Sequence, residues 1–212
     1  MSAPVTPRHV DVDVDVDVDV VDRLAGIRPG SRLDDVRRRR PIAREQTQHA
    51  YELLFGPGAG GLFSRAERLA VATFVTALHG ETRIADHYAA LLAEVEPEWV
   101  DPLRAEADRA AGRGPWGTYR EPGLADESVP GPAYVAAPGI HDRLGGRLAG
   151  ALTHAHLLVL HPRDASPEAL ASLAAAGWSR SGIVTLSQAV AFLTYQIRLV
   201  HGLRQLAIEG DS

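Results

Sequence analysis

The sequence predicts an all-α fold of five to eight helices, and three observations carry that expectation. The run from Leu69 to Leu78 is apolar apart from Thr73 and Thr76 and contains no Gly or Pro, which is the composition of a buried helix. The last long segment carries Ile183, Leu186, Val190, Leu193, Ile197 and Val200, spaced as one face of a helix. Between residues 21 and 212 no run alternates convincingly as a strand would.

Residues 1–20 form the first predicted unit. Val10 to Val20 is a strict Val-Asp alternation. Read as a strand, it would place five aspartates, Asp11 to Asp19, on one side, where like charges repel. It is therefore expected to be a disordered acidic tail. A helical domain is expected from 21 to 207, divided into a first helical part (21–111), an irregular strap (112–139) and a second helical part (140–207). Asp22–Ile27 reads as a short helix stopped by Arg28-Pro29-Gly30. Arg37–Arg40 is a basic run, expected to be a solvated arm that pairs with the acidic tail or packs on a neighbour. Ile42–Phe55 is a helix ended by Gly56-Pro57-Gly58.

The central helix spans about 64–93. Ser64 and Glu67 stand at capping-box spacing, and Gly80 marks a break. Pro97 opens another helix, with Trp99, Leu103 and Ala107 apolar. Residues 112–139 are dense in Gly and Pro yet carry Trp116, Tyr119 and Tyr134. Such a segment is expected to lie along the surface as a strap, with another subunit as a candidate partner. A helix from Ile140 to about Leu160 stops at Pro162. Ser166-Pro167-Glu168 starts the next one, and Ser181 to about Ala207 is the last.

Composition narrows function by exclusion. The chain has 0 cysteines, so disulfides, thiolate nucleophiles and cysteine-ligated metals are excluded. The net charge of −5 gives no general attraction to nucleic acid. No positively charged start precedes an apolar run, and no apolar segment is expected to span a membrane. A cytoplasmic protein with no cofactor and no metal is the resulting expectation.

Residues 161–203, HPRDASPEALASLAAAGWSRSGIVTLSQAVAFLTYQIRLVHGL, carry a short helix, a Gly-containing turn and a long helix with an aromatic–x–x–Arg pattern at Tyr195–Arg198. This resembles the closing portion of the carboxymuconolactone decarboxylase and alkylhydroperoxidase (AhpD-like) superfamily. The stretch DVVDRLAG, the Arg-rich segment and the helix HAYELLF resemble a subgroup of CMD domain proteins, so the likeness covers about residues 20–207. It implies an AhpD-like helical domain and a homo-oligomer. In that family a helix opened by Glu is followed by a CxxCxxxH sequence. With His87 at the histidine position, the two cysteine positions fall at Gly80 and Arg83. The thiol peroxidase cycle therefore has no sulfur to run on. Glu67 is the candidate for the family glutamate, one residue further from His87 than the pattern asks.

The remaining chemistry is non-redox. His79, Glu81, Arg83, Asp86 and His87 cluster at turn spacings just beyond the apolar run. His87 is the candidate general base, with Glu67 or Asp86 to orient it or relay the proton. Arg198 is the candidate for holding a substrate carboxylate, with Tyr88, His79 and Tyr195 as further binding residues. The implied substrate is a small acidic organic molecule, as in the lactone decarboxylase branch. The alternative is a non-catalytic helical homo-oligomer in which these residues are structural. A second histidine cluster, His154, His156 and His161, cannot converge on a metal from one helix: His154 and His161 share a face and His156 points elsewhere. His161, just before Pro162, reads as a cap on the last carbonyls of its helix.

Overall fold

The computed structural model describes residues 19–210, and within them the all-α class holds. Nine α-helices form: α1 (Val20–Ala25), α2 (Arg32–Arg38), α3 (Pro41–Phe55), α4 (Arg65–Leu78), α5 (Thr82–Ala93), α6 (Val100–Ala110), α7 (Pro138–Leu160), α8 (Pro167–Ala175) and α9 (Arg180–Gly210). Two of them, α1 and α2, are shorter than two turns. No strand forms among the described residues; one isolated antiparallel bridge joins Gly117 to Val129.

The helix α4 is the axis. Every residue from Leu69 to Thr76 is 0% exposed, as an apolar surface all round a helix requires. Thr73 and Thr76 satisfy their hydroxyls on the carbonyls of Leu69 (2.9 Å) and Ala72 (2.7 Å), one turn back. Around α4 stand α3, α5, α6, α7 and α9. Its start is the expected capping box between Ser64 and Glu67. Its end is forced by Gly80, whose φ of 70° is left-handed. His79 therefore closes α4, while Arg83, Asp86 and His87 lie on α5, which begins at Thr82, so the predicted turn-spaced cluster does not lie on one helix.

Of the predicted tail, Asp19 and Val20 belong to the fold; residues 1–18 lie outside the described residues. Asp19 caps α1 by accepting from Val21 and Asp22 backbone N–H groups. Val20 and Val21 are buried in the core. Beneath them is a network of Asp19, Asp22 and Asp34 with Arg37, Arg38 and Arg44. Arg37 is buried, bridging Asp19 and Asp22, so the first arginine of the basic run is internal.

The helix α9 is long and apolar enough to cross a membrane by length and composition alone, which the sequence reading did not anticipate. Within the fold, its Leu186, Val190, Leu193, Ile197 and Val200 are core residues packed against α1, α4 and α7. The strap lies on its own chain. Trp116 donates its backbone N–H to Leu160 (2.6 Å) and packs its ring on His161. Tyr134 stacks on His156 at 4.2 Å between ring centres.

Candidate functional site

The residues singled out in the sequence are distributed over separate contacts. The Glu67 carboxylate accepts from the Ser64 backbone N–H (2.9 Å) and pairs with Arg147 Nε (2.8 Å). Arg147 in turn lies over the Trp178 ring and donates to Gly177 and Leu62 carbonyls. Glu67 thus ties the start of α4 to α7. On α5, the His87 Nε2 meets the Tyr51 hydroxyl of α3 at 3.0 Å. Burial, and then the charge of Arg23, push the His87 pKa down to about 4.

Asp86 is exposed and pairs with Arg104 (2.6 Å). Tyr88 is fully buried and donates to Gln196 Oε1 (2.7 Å). His79, pushed down by burial and by Arg198, lies 3.5 Å from Thr194 Oγ1. Tyr195 is half-exposed and donates to Thr47 Oγ1 (3.0 Å), whose own proton goes to the Ala43 carbonyl. Arg198 is exposed on α9. The expected convergence of His87, Glu67 and Arg198 therefore does not form. Glu67 serves as cap and ion-pair partner. The inward-facing His87 bonds Tyr51, and Arg198 lies outside both contacts. A polar cleft of about 470 Å³ lies over the α4–α5 turn, lined by Glu81, Arg83, Asp86 and Arg204.

A larger cavity, about 580 Å³, opens elsewhere, where α7, α8 and the strap meet. Its walls are mostly apolar, from Ala133, Val135, Leu157, Ala169, Leu173 and Ala176. Four histidines line it: His141, His154, His156 and His161. The strap is able to lie here because Gly145, with φ 82° and ψ 156°, breaks α7 after its first turns.

Hydrogen-bond logic assigns the rings. Ser187 Oγ donates to the Ile183 carbonyl (2.9 Å). Its single proton is committed, so His154 Nε2 donates to Ser187 Oγ (3.1 Å). Burial holds the His154 pKa below its ordinary value, so the ring is neutral and Nδ1 carries a bare lone pair. That Nδ1 is buried and has no partner. His156 Nε2 donates to the Ala110 carbonyl (3.1 Å), and burial lowers its pKa as well. His161 is held from both sides, by Asp164 (3.0 Å) and the Pro132 carbonyl (3.0 Å). Asp164 lies below the usual carboxylate range because the Thr118 N–H and His161 both donate to it.

This corrects the reading of the second histidine cluster. His161 sits at φ −129°, past the helical geometry of α7, so it leaves the helical period and stacks with His156 rather than sharing a face with His154. It pins the strap through Pro132 instead of capping α7 carbonyls. Among the described residues no three His, Asp or Glu side chains group as metal ligands would. The histidines themselves were visible in the sequence. Their common cavity was not, because it depends on the break at Gly145 and on where the strap lies.

No family model, no curated protein and no solved structure matches the chain.

Proposed function

We propose that this chain binds a small organic molecule in the cavity beneath the strap and moves a proton on it without redox chemistry. The observation that carries this reading is the buried, unpartnered Nδ1 of His154, a residue that lines the 580 Å³ cavity. A buried polar atom without a partner loses about 1–3 kcal/mol of solvation, and a ligand proton would satisfy it. In the proposed step the proton leaves an acidic O–H or C–H bond of the ligand, the electron pair stays with the ligand, and Nδ1 takes the proton. The hydrogen bond from Nε2 to Ser187 fixes the tautomer and orients the ring. The resemblance of residues 161–203 to the carboxymuconolactone decarboxylase superfamily belongs to the same proposal. It favours the non-redox branch, and the base in this proposal is His154 in place of the His87 that the resemblance implies.

A deuterium-exchange assay tests it. Small lactones, enols and phenols that raise the melting temperature are incubated with the protein in heavy water and followed by NMR. Exchange at an acidic position should be accelerated by the protein and fall to background in His154→Phe (H154F). Acceleration unchanged in that variant removes His154 as the base. Hydroperoxide turnover with a dithiol reductant should stay at the level of a boiled control.

A second reading, a non-catalytic homo-oligomer, has its own observation. On α9, Val184, Tyr195 and Leu206 are exposed and 11 residues apart, which places them on one stripe. A two-fold axis at Tyr195 would set Val184 of one copy against Leu206 of the other. Light scattering decides it: a dimer that Tyr195→Glu converts to monomer supports this reading, and a monomeric native chain ends it.

A further inference from the structure

The proton-transfer reading leaves the ligand's class open, and the hydrogen-bond inventory of the cavity narrows it. Resting on that reading, we infer that the cavity takes an uncharged, largely apolar ring molecule bearing an O–H or N–H donor, of the phenol class, and that it rejects carboxylates.

The first support is where the protein's own protons go. His154 Nε2–H goes to Ser187 and His156 Nε2–H to the Ala110 carbonyl. The Tyr134 hydroxyl donates to Glu106 (2.8 Å). Thr153 donates to the Ala149 carbonyl and Ser172 to the Glu168 carbonyl. Both nitrogens of His161 face acceptors. Only His141, exposed at the rim, has an uncommitted ring. Among the lining side chains, what remains is a set of acceptors: the lone pairs on Nδ1 of His154 and His156 and, at the exposed edge, on Ser172 Oγ. To pair with these histidine and serine side chains, a ligand must bring the donor.

The second support is charge. The chain has 22 basic residues, all arginine, and none of them lines this cavity. Its one carboxylate, Asp164, is held in the charged form. A bound carboxylate would have no guanidinium to pair with, and the His161 ring is already committed to Asp164 and the Pro132 carbonyl. Acidity in the substrate then means a weakly acidic, neutral group, and not an anion. The volume is in the range of pockets that enclose drug-sized molecules, so one or two fused rings fit.

A matched trio of probes tests this at about pH 8, where the lowered pKa values of His154 and His156 keep both rings neutral: a naphthol, its methyl ether and naphthoate. Dissociation constants are measured by calorimetry with the native chain. The naphthol should bind about tenfold more tightly than the ether, the worth of one good hydrogen bond, and naphthoate should bind weakest. His154→Phe should bring naphthol and ether to equal affinity. Should that variant fail to fold, Ser187→Ala serves, because it removes the oxygen that fixes the tautomer; the naphthol preference should fall several-fold. Leu157→Trp, which fills the cavity, should abolish binding of all three.

Naphthoate binding best, or naphthol and ether binding equally to the native chain, overturns the ligand class while the cavity remains a binding site. Binding of none of the three, or binding indifferent to Leu157→Trp, overturns the class together with the reading it rests on.

Discussion

The polar groups of the amino-terminal half and those under the strap are built on opposite principles. Around α1, α2 and α3, carboxylates and guanidinium groups close on one another: Arg37 with Asp19 and Asp22, Arg44 with Asp22 and Asp34. The neighbouring rings do the same, His87 with Tyr51 and Tyr88 with Gln196. Beneath the strap, donors are consumed internally and acceptors are left over, His154 Nδ1 foremost. Both regions are rich in titratable side chains. Density of such groups therefore does not mark a site; an unbalanced inventory beside a void does. Asp19 Oδ2, Arg65 Nε and Gln196 Nε2 are also buried without a hydrogen-bond partner, but none of these residues lines either cavity described here.

The largest effect that would sharpen the contrast is at Arg37. Arg37→Ala strands the carboxylates of Asp19 and Asp22 inside the protein, and breaking a buried pair in this way costs about 3–5 kcal/mol. Urea unfolding should show a loss of that size; a loss under about 1 kcal/mol would mean that the network is not a closed unit.

Next comes acid. The His87 pKa falls from an ordinary 6.5 to about 4 on folding, so between those values the unfolded chain binds the extra proton. The stabilising contribution is whole above pH 6.5 and lost as the pH falls towards about 4, amounting to about 3 kcal/mol. His79, His154 and His156 shift in the same direction, each chiefly through burial. Melting temperatures taken across this window should fall, and His87→Gln, which keeps a partner for Tyr51, should flatten the decline. An unchanged slope in the variant would assign the acid sensitivity elsewhere.

A smaller loss, about 1–3 kcal/mol, is expected for Tyr88→Phe, which leaves the Gln196 carbonyl unpaired in the core. The smallest belongs to the open region. His154→Phe deletes a bond to Ser187 but also removes a buried unpartnered nitrogen, and these offset to within about 1 kcal/mol. A loss matching that of Arg37→Ala would place His154 among the structural groups and dissolve the contrast.

Much of the fold was legible from local signals. The buried character of α4 followed from its composition, its start from Ser64 and Glu67, its end from Gly80, and the start of α8 from Ser166 and Pro167. Sequence could not say which partner each polar side chain would find. Glu67 satisfies Arg147 across 80 positions, and such pairing depends on how whole helices dock. The cavity was illegible for the same reason. It needs the non-helical Gly145 inside an otherwise helical pattern and a strap pinned by Pro132, and neither leaves a periodic trace. Asp19 and Val20 were misassigned because alternation predicted a tail where the last repeat unit is a helix cap.

That cap gives the repeat an unusual tolerance to copying errors. The fold requires one aspartate followed by two valines, at Asp19, Val20 and Val21. Every preceding unit is also Val-Asp. Deletion of Val18 and Asp19 joins Asp17 to Val20 and regenerates the same cap, and insertion of further units leaves it untouched. Gain or loss of whole Val-Asp units therefore changes the chain length in two-residue steps upstream of a boundary that heals itself.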